Sequence, residues 1–320
     1  MRRIIRSLKF GFSEAAGFGG FFFWRGLERC LGVVVLNAVA RTYYLCRATF
    51  NEFFKKAPPA RVEPEWLRTD GSLRARIRRR MQKYHNYLLK CFPDRLGRPE
   101  WRSRCRLEGV EHLQAAQQEG RPVVLGFFHF GPIYIMRQWT RALGFPAAAL
   151  VAGELEASNT LSRFRDRLTP FPEVPVIFYP RELRALTKFL AGGNILFIAV
   201  DTPVGRQTTA ETDDGWELNL NSGAARLANG AGADLIPVSI VTEGPWRFRM
   251  KFGQPIAGKE LQTDDDQAAA NNRLLQAVLP DFKSYPEQFD LPRRWKKKES
   301  GTKKSKQGEI PARQHLQKTK

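Results

Sequence analysis

From Leu107 onward the chain alternates short apolar runs with stretches of helical character, and no other feature restricts its fold as strongly. "RPVVLGFF" has the composition of a buried strand, and "PIYIMRQWTRALG" follows it with helical spacing and a terminal glycine. "FPAAALVA", "VPVIF" and "NILFIAV" repeat the strand signal, with "SNTLSRFRDRL" and "PRELRALTKFLAGG" as the helices between them. After a polar loop, "SGAARLANGAG" reads as a helix. "DLIPVSIV" and "WRFRMKFG", separated by "TEGP", read as a hairpin at the edge of the sheet. Strands that alternate with helices form a sheet covered on both faces. The expected fold is therefore α/β, with a mostly parallel central sheet and helices on both faces, over residues 105–292. No internal repeat is visible.

The flanking segments differ in character. Residues 1–50 open with the basic "MRRIIRSLKF" and continue with two apolar runs, "AAGFGGFFFW" and "CLGVVVLNAVA", divided by "RGLER". Neither run reaches the roughly 20 residues of a spanning helix. No small-residue cleavage site follows a compact apolar core, so a signal peptide is not expected. Basic and apolar residues together predict amphipathic helices lying in a membrane surface. An arm packed on the protein's own core, or a tilted span that tolerates Arg25, Glu28 and Arg29, are the alternatives. Residues 51–104 form a basic, helical linker region: "APPARVEPEW" is a proline-punctuated break and "RARIRRRMQKYHNYLLK" a basic helix. Residues 293–320 lack apolar periodicity and hold eleven Lys/Arg against two Glu, which predicts a disordered basic tail.

That tail supplies nearly half of the formal net charge of +20. Such a surplus predicts an anionic partner: a nucleic acid, an anionic membrane surface, or acidic lipids and phosphates. No nucleic-acid recognition motif accompanies it, so specific nucleic-acid binding is not expected. The four cysteines, Cys30, Cys46, Cys91 and Cys105, show no CxxC or Cys/His pairing, and neither a metal site nor a disulfide framework is indicated.

In open α/β sheets, ligands bind beyond the carboxyl ends of the strands. His129 follows "VVLGFF" and Asp201 follows "ILFIAV", which assigns both to that edge. The other histidines lie elsewhere: His85 in the basic helix, His112 in a surface-type helix and His315 in the tail. A base at His129 would deprotonate a hydroxyl attacking a thioester, and would need an acceptor on its other ring nitrogen. Five positions on stands Tyr134 in place of a carboxylate. Glu154 and Glu156, after the next strand, and Asp201 are the acids that could substitute. No GxSxG elbow is present, so a covalent acyl-enzyme is not indicated. "LAGGN" lacks both GxGxxG spacing and a Walker lysine and gives little support to nucleotide binding.

The stretch from "RLEGVEHLQAAQQEGRPVVLGFFHFGP" to "PEQFDLPRRWKKK" resembles the late lipid A biosynthesis acyltransferase family, within the lysophospholipid acyltransferase superfamily of membrane-associated bacterial enzymes. The matching features run in order over residues 105–298. They are "EGVEHLQ", the strand into "HFG", "GFP", an arginine-rich helix at 159–167, "FLAGGNILFIAVD", "SGAARLANGAGADLIPVSI" and "YPEQF…RRWK". The resemblance implies transfer of an acyl chain from an acyl-carrier-protein or CoA thioester to a hydroxyl of a lipid acceptor, a lipid A precursor or a lysophospholipid. It implies no bound cofactor and a place on the cytoplasmic face of a bacterial inner membrane, with membrane lipids and an acyl carrier protein as partners. His129 matches the family's general base. The family's motif is His, four residues, then Asp or Glu, and here that last position is Tyr134, which stands second in the expected catalytic pair. Arg163, Arg165 and Arg167 match an arginine-rich segment that would hold acceptor phosphates through forked hydrogen bonds. Arg206, Asp201 and Glu154 complete the expected substrate side. Tyr134 also raises the alternative of a relative that binds lipid without turnover.

Overall fold

A computed structural model of the chain describes residues 2–54, 64–67, 73–92, 95, 101, 103–152, 176–179, 183–244, 246–289 and 295–298. Two long helices come first, α1 (Arg2–Phe54) and α2 (Leu73–Lys90). The α/β part follows: β1 (Cys105–Glu108), α3 (Val110–Gln118), β2 (Val123–Phe127), α4 (Ile133–Ala142), β3 (Ala147–Ala152), β4 (Val176–Tyr179), α5 (Leu183–Ala191) and β5 (Ile195–Ala199). It continues with β6 (Gln207–Glu211), β7 (Trp216–Asn221), α6 (Gly223–Ala231), β8 (Asp234–Gly244), β9 (Arg247–Phe252), α7 (Asp264–Ser284) and β10 (Trp295–Lys297).

Seven strands form the central sheet in the order β1-β9-β8-β2-β5-β3-β4, and β8 against β9 is its one antiparallel pair. Side chains of a strand alternate between faces, and β2 shows the consequence. Val123 and Leu125 join one apolar cluster with Leu113 of α3, Met136 and Trp139 of α4 and Tyr44 of α1. Val124 joins the other, with Leu190 of α5, Ala225 of α6 and Leu274 and Phe282 of α7. The sheet is thus covered on both faces, as its continuous apolar strands require.

Several expectations are corrected. The amino-terminal region is one helix, which passes through "RGLER" without a break. A single glycine costs a helix about 1 kcal/mol, and tertiary packing overrides that. Here Phe21, Trp24, Tyr44 and Ala48 are buried, while Phe22, Phe23, Val39, Phe50 and Phe53 are exposed beside Arg29, Arg41 and Arg47. The β8–β9 hairpin is not at the edge, because β1 pairs parallel outside β9, with Cys105 opposite Phe248. The polar loop after β5 is a second, three-stranded antiparallel sheet, β10-β7-β6. Its strand β10 belongs to the segment expected to be a disordered tail: Trp295 is buried opposite Leu218, so chain order extends past Arg293. The helix expected at "SNTLSRFRDRL" lies outside the described residues.

Candidate active site

The register of the sheet brings the site together. β2 and β5 are parallel neighbours, with Phe127 opposite Ala199. His129 and Asp201 each lie two residues beyond that pair, at the same level of adjacent strands. The chain leaves β2 for α4 on one face and, after β5 and the β6–β7 hairpin, enters α6 on the other. Between strands that diverge in this way an α/β sheet opens its ligand crevice.

There the two side chains meet. His129 Nδ1 lies 2.6 Å from Asp201 Oδ1, and the backbone N–H of His129 donates to Asp201 Oδ2 at 2.7 Å. The carboxylate is fully buried, whereas about a quarter of the imidazole (24%) is exposed. Asp201 thus fixes both the ring and the backbone that carries it. With Nδ1–H donated to the carboxylate, Nε2 becomes the basic nitrogen. A buried negative charge at this distance stabilises the imidazolium formed when Nε2 accepts a proton, and holds its tautomer. The ring of Phe127 forms an apolar wall, its centroid 5.9 Å from that of the imidazole.

Both turns that carry the pair are held from behind. After β5, Asn221 donates from Nδ2 to the carbonyl of Ala199 (2.8 Å) and to Thr202 Oγ1 (3.0 Å), and its own N–H bonds the Val200 carbonyl. After His129, the Gly131 N–H donates to the Gln288 carbonyl at 2.9 Å, and Phe130 bridges Phe289. The Gln288 side chain in turn accepts from the Thr242 N–H (2.9 Å) and donates to the Thr242 carbonyl (2.8 Å). Gly131 has φ +69°, and a Cβ there would sit 1.9 Å from the Ile240 carbonyl oxygen, so only glycine fits. Asn221 and Gln288 carry no sequence signal of their own. The "PEQF" stretch and the "HFGP" turn become related only when the single helical turn Pro286–Gln288 closes on β8.

The remaining candidates divide. Tyr134 lies in the first turn of α4, with its ring packed against the apolar cluster of that face; the carboxylate at the imidazole is Asp201, from 72 residues further along the chain. Asp201, expected both on the substrate side and among the acids that could stand in for the motif's carboxylate, is thus engaged with the base itself. Arg206, expected on the substrate side, bonds Asp264 at the amino end of α7 through Nη1 at 2.6 Å, with both side chains exposed. Glu154, Glu156, Arg163, Arg165 and Arg167 lie outside the described residues.

Fold and geometry define an α/β protein with a His–Asp pair in the crevice of a mostly parallel sheet. A family model, bacterial lipid A biosynthesis acyltransferase, matches residues 77–297, and the chain belongs to this family of lipid acyltransferases. One solved structure to which it is similar is the 1-acyl-sn-glycerophosphate (LPA) acyltransferase PlsC from Thermotoga maritima. That likeness is 16% identity over 89% of this chain and 98% of the other, with a TM-score of 0.38. No curated protein matches by sequence. No described helix is long and apolar enough to cross a membrane.

Proposed function

We propose that the protein transfers a fatty acyl chain from an acyl-carrier-protein or CoA thioester to a hydroxyl of a lipid acceptor, with His129 as the general base. The observation that carries this reading is the 2.6 Å contact between His129 Nδ1 and Asp201 Oδ1 at the carboxyl edge of the sheet. Nε2 takes the proton of the acceptor hydroxyl as its oxygen attacks the thioester carbonyl. The tetrahedral intermediate then collapses, the C–S bond breaks, and the thiolate leaves with the proton returned from the imidazolium. Asp201 holds the ring throughout, which removes the need for an acid at position 134. The acceptor is a lipid A precursor or a lysophospholipid, with Arg163, Arg165 and Arg167 as candidates for its phosphates. No bound cofactor enters these steps. A place on the cytoplasmic face of an inner membrane is supported by the exposed aromatic side chains of α1 and by the net charge of +20.

Lipid mass spectrometry on cells lacking the protein tests the reading. One lipid class is expected to lose a single acyl chain, restored by the wild-type chain and by neither His129→Ala nor Asp201→Asn. An unchanged lipid profile in every strain would remove the proposal.

A further inference from the structure

A second concave site lies on the same edge of the sheet but away from the His–Asp pair. Strand β8 runs parallel to β2 as far as Val238, opposite Phe127, and then continues six residues to Gly244 before turning into β9. At about 3.3 Å per residue, its tip projects roughly 20 Å beyond the end of β2. Between this tip and the start of β1 lies a cavity of about 600 Å³, lined by Ser103, Arg104, Arg106, Glu243, Arg247 and Phe248.

The charges around it are unevenly matched. Beneath the cavity, the largely buried Arg249 bonds Asp281 at 2.8 Å and Glu243 at 2.9 Å, with Glu108 at 3.7 Å. Arg106 is paired with Glu243 (3.0 Å) and Glu108 (3.2 Å). Arg104 and Arg247 have no carboxylate partner among the described residues. Arg104 lies over the ring of Trp101, 5.7 Å from its centroid, and Trp101 packs edge-on against Trp246. The same aromatic pair flanks Arg95, which is joined to Glu28 of α1. Arg104 and Arg247 therefore adjoin the aromatic pair at which Glu28 of α1 meets Arg95, and α1 exposes Phe22 and Phe23 within two turns of Glu28.

We propose that this pocket binds a phosphate monoester, with Arg104 and Arg247 as its forked donors, Arg106 beside them and the Ser103 hydroxyl as a further donor. Paired guanidinia match phosphate oxygens in geometry as well as charge. The adjoining aromatic surface of α1 points to a lipid headgroup as the source. The site is separate from the His–Asp pair and stands whether or not that pair turns over.

Sedimentation with phosphatidylcholine vesicles containing phosphatidic acid tests this, with inorganic phosphate as competitor. The double variant Arg104→Gln/Arg247→Gln is compared with a control of equal charge change on the other face, Arg226→Gln/Arg273→Gln. The expected result is a loss of about tenfold or more in affinity for the phosphatidic acid vesicles in the pocket variant alone, with binding to pure phosphatidylcholine vesicles unchanged. If millimolar inorganic phosphate raises the melting temperature of the wild type and not of the pocket variant, while vesicle binding is equal in both, the pocket holds phosphate and its source is the soluble anion. Equal loss in pocket and control variants, or no loss and no phosphate effect, would overturn the proposal.

Discussion

Asp201 directs one carboxylate oxygen to the His129 ring and the other to the His129 backbone N–H, so side chain and main chain are oriented by a single buried group. A buried carboxylate is costly unless hydrogen-bonded, and this arrangement supplies bonds to both oxygens. The two residues are 72 positions apart, and only the β2–β5 register brings them level. Sequence placed each on the carboxyl edge of the sheet, and the family motif directed attention to Tyr134 instead; strand order, which decides the neighbour, is not written in local pattern. Gly131 is a further residue whose identity is dictated by the turn. Gly131→Ala adds a Cβ where the Ile240 carbonyl already lies and demands a left-handed φ from alanine. Urea unfolding is expected to show a loss of about 3 kcal/mol or more. Cys105 gives a pH-dependent prediction. Burial pushes its thiol up to about 12, with Glu243 adding to the rise and a backbone bond from Met250 opposing it. In the native protein at pH 8, alkylation is expected at the exposed Cys30 and Cys46, with Cys105 modified only on unfolding. Because the folded thiol holds its proton more tightly than the unfolded one, its contribution to stability is complete below about pH 9. It is lost as pH rises toward about 12.

At the scale of elements, the apolar strands were legible: β2, β3 and β5 fall within runs such as "VVLGFF" and "NILFIAV", and β9 within the half-charged "WRFRMKFG", while β4 runs one residue past "VPVIF" and β8 continues through the "TEG" expected as the turn. The elements that escaped are those whose signal is weak or mixed. Strands β6 and β7 are polar on their open side, with the pattern exposed–half-buried–exposed–buried in "QTTA", although the turn "TDDG" between them is of hairpin type. Helix α7 also went unread, although Thr263 and Asp266 cap each other's backbone N–H groups at 3.1 and 2.8 Å. β1 is four residues long, too short for alternation to stand out. The attachment of α1 is equally invisible in sequence, since it depends on Glu28 meeting Arg95 in a pocket of Phe92, Trp101 and Trp246. Arg95 is almost wholly buried, and removing the acid from such a pair costs about 3 kcal/mol or more. Glu28→Ala is expected to loosen α1 selectively. Limited proteolysis should then cut within residues 40–54 faster than in the wild type, with the α/β part still protected; equal cleavage in both proteins would show that the pair does not anchor the helix.

For the molecule as a whole, division of labour follows from where charge and apolar surface lie. The α/β part buries its apolar side chains in two clusters either side of one sheet, and the crevice between β2 and β5 holds the only His–Asp contact among the described residues. Among the described residues the exposed large aromatics belong to α1, and nearly half of the basic surplus lies from Arg293 onward, outside the sheet that carries the pair. The proposed attachment to a lipid surface and the proposed chemistry thus rest on different parts of the chain. The most direct test of that chemistry is the rate of thiol release from an acyl thioester in the presence of a lipid acceptor, measured for wild type, Asp201→Asn and Tyr134→Phe. Asp201→Asn is expected to lower kcat by about 10³–10⁴-fold, as loss of an orienting carboxylate does, while Tyr134→Phe keeps most of the activity. Full activity in Asp201→Asn, or a comparable loss in Tyr134→Phe, would contradict the proposed chemistry.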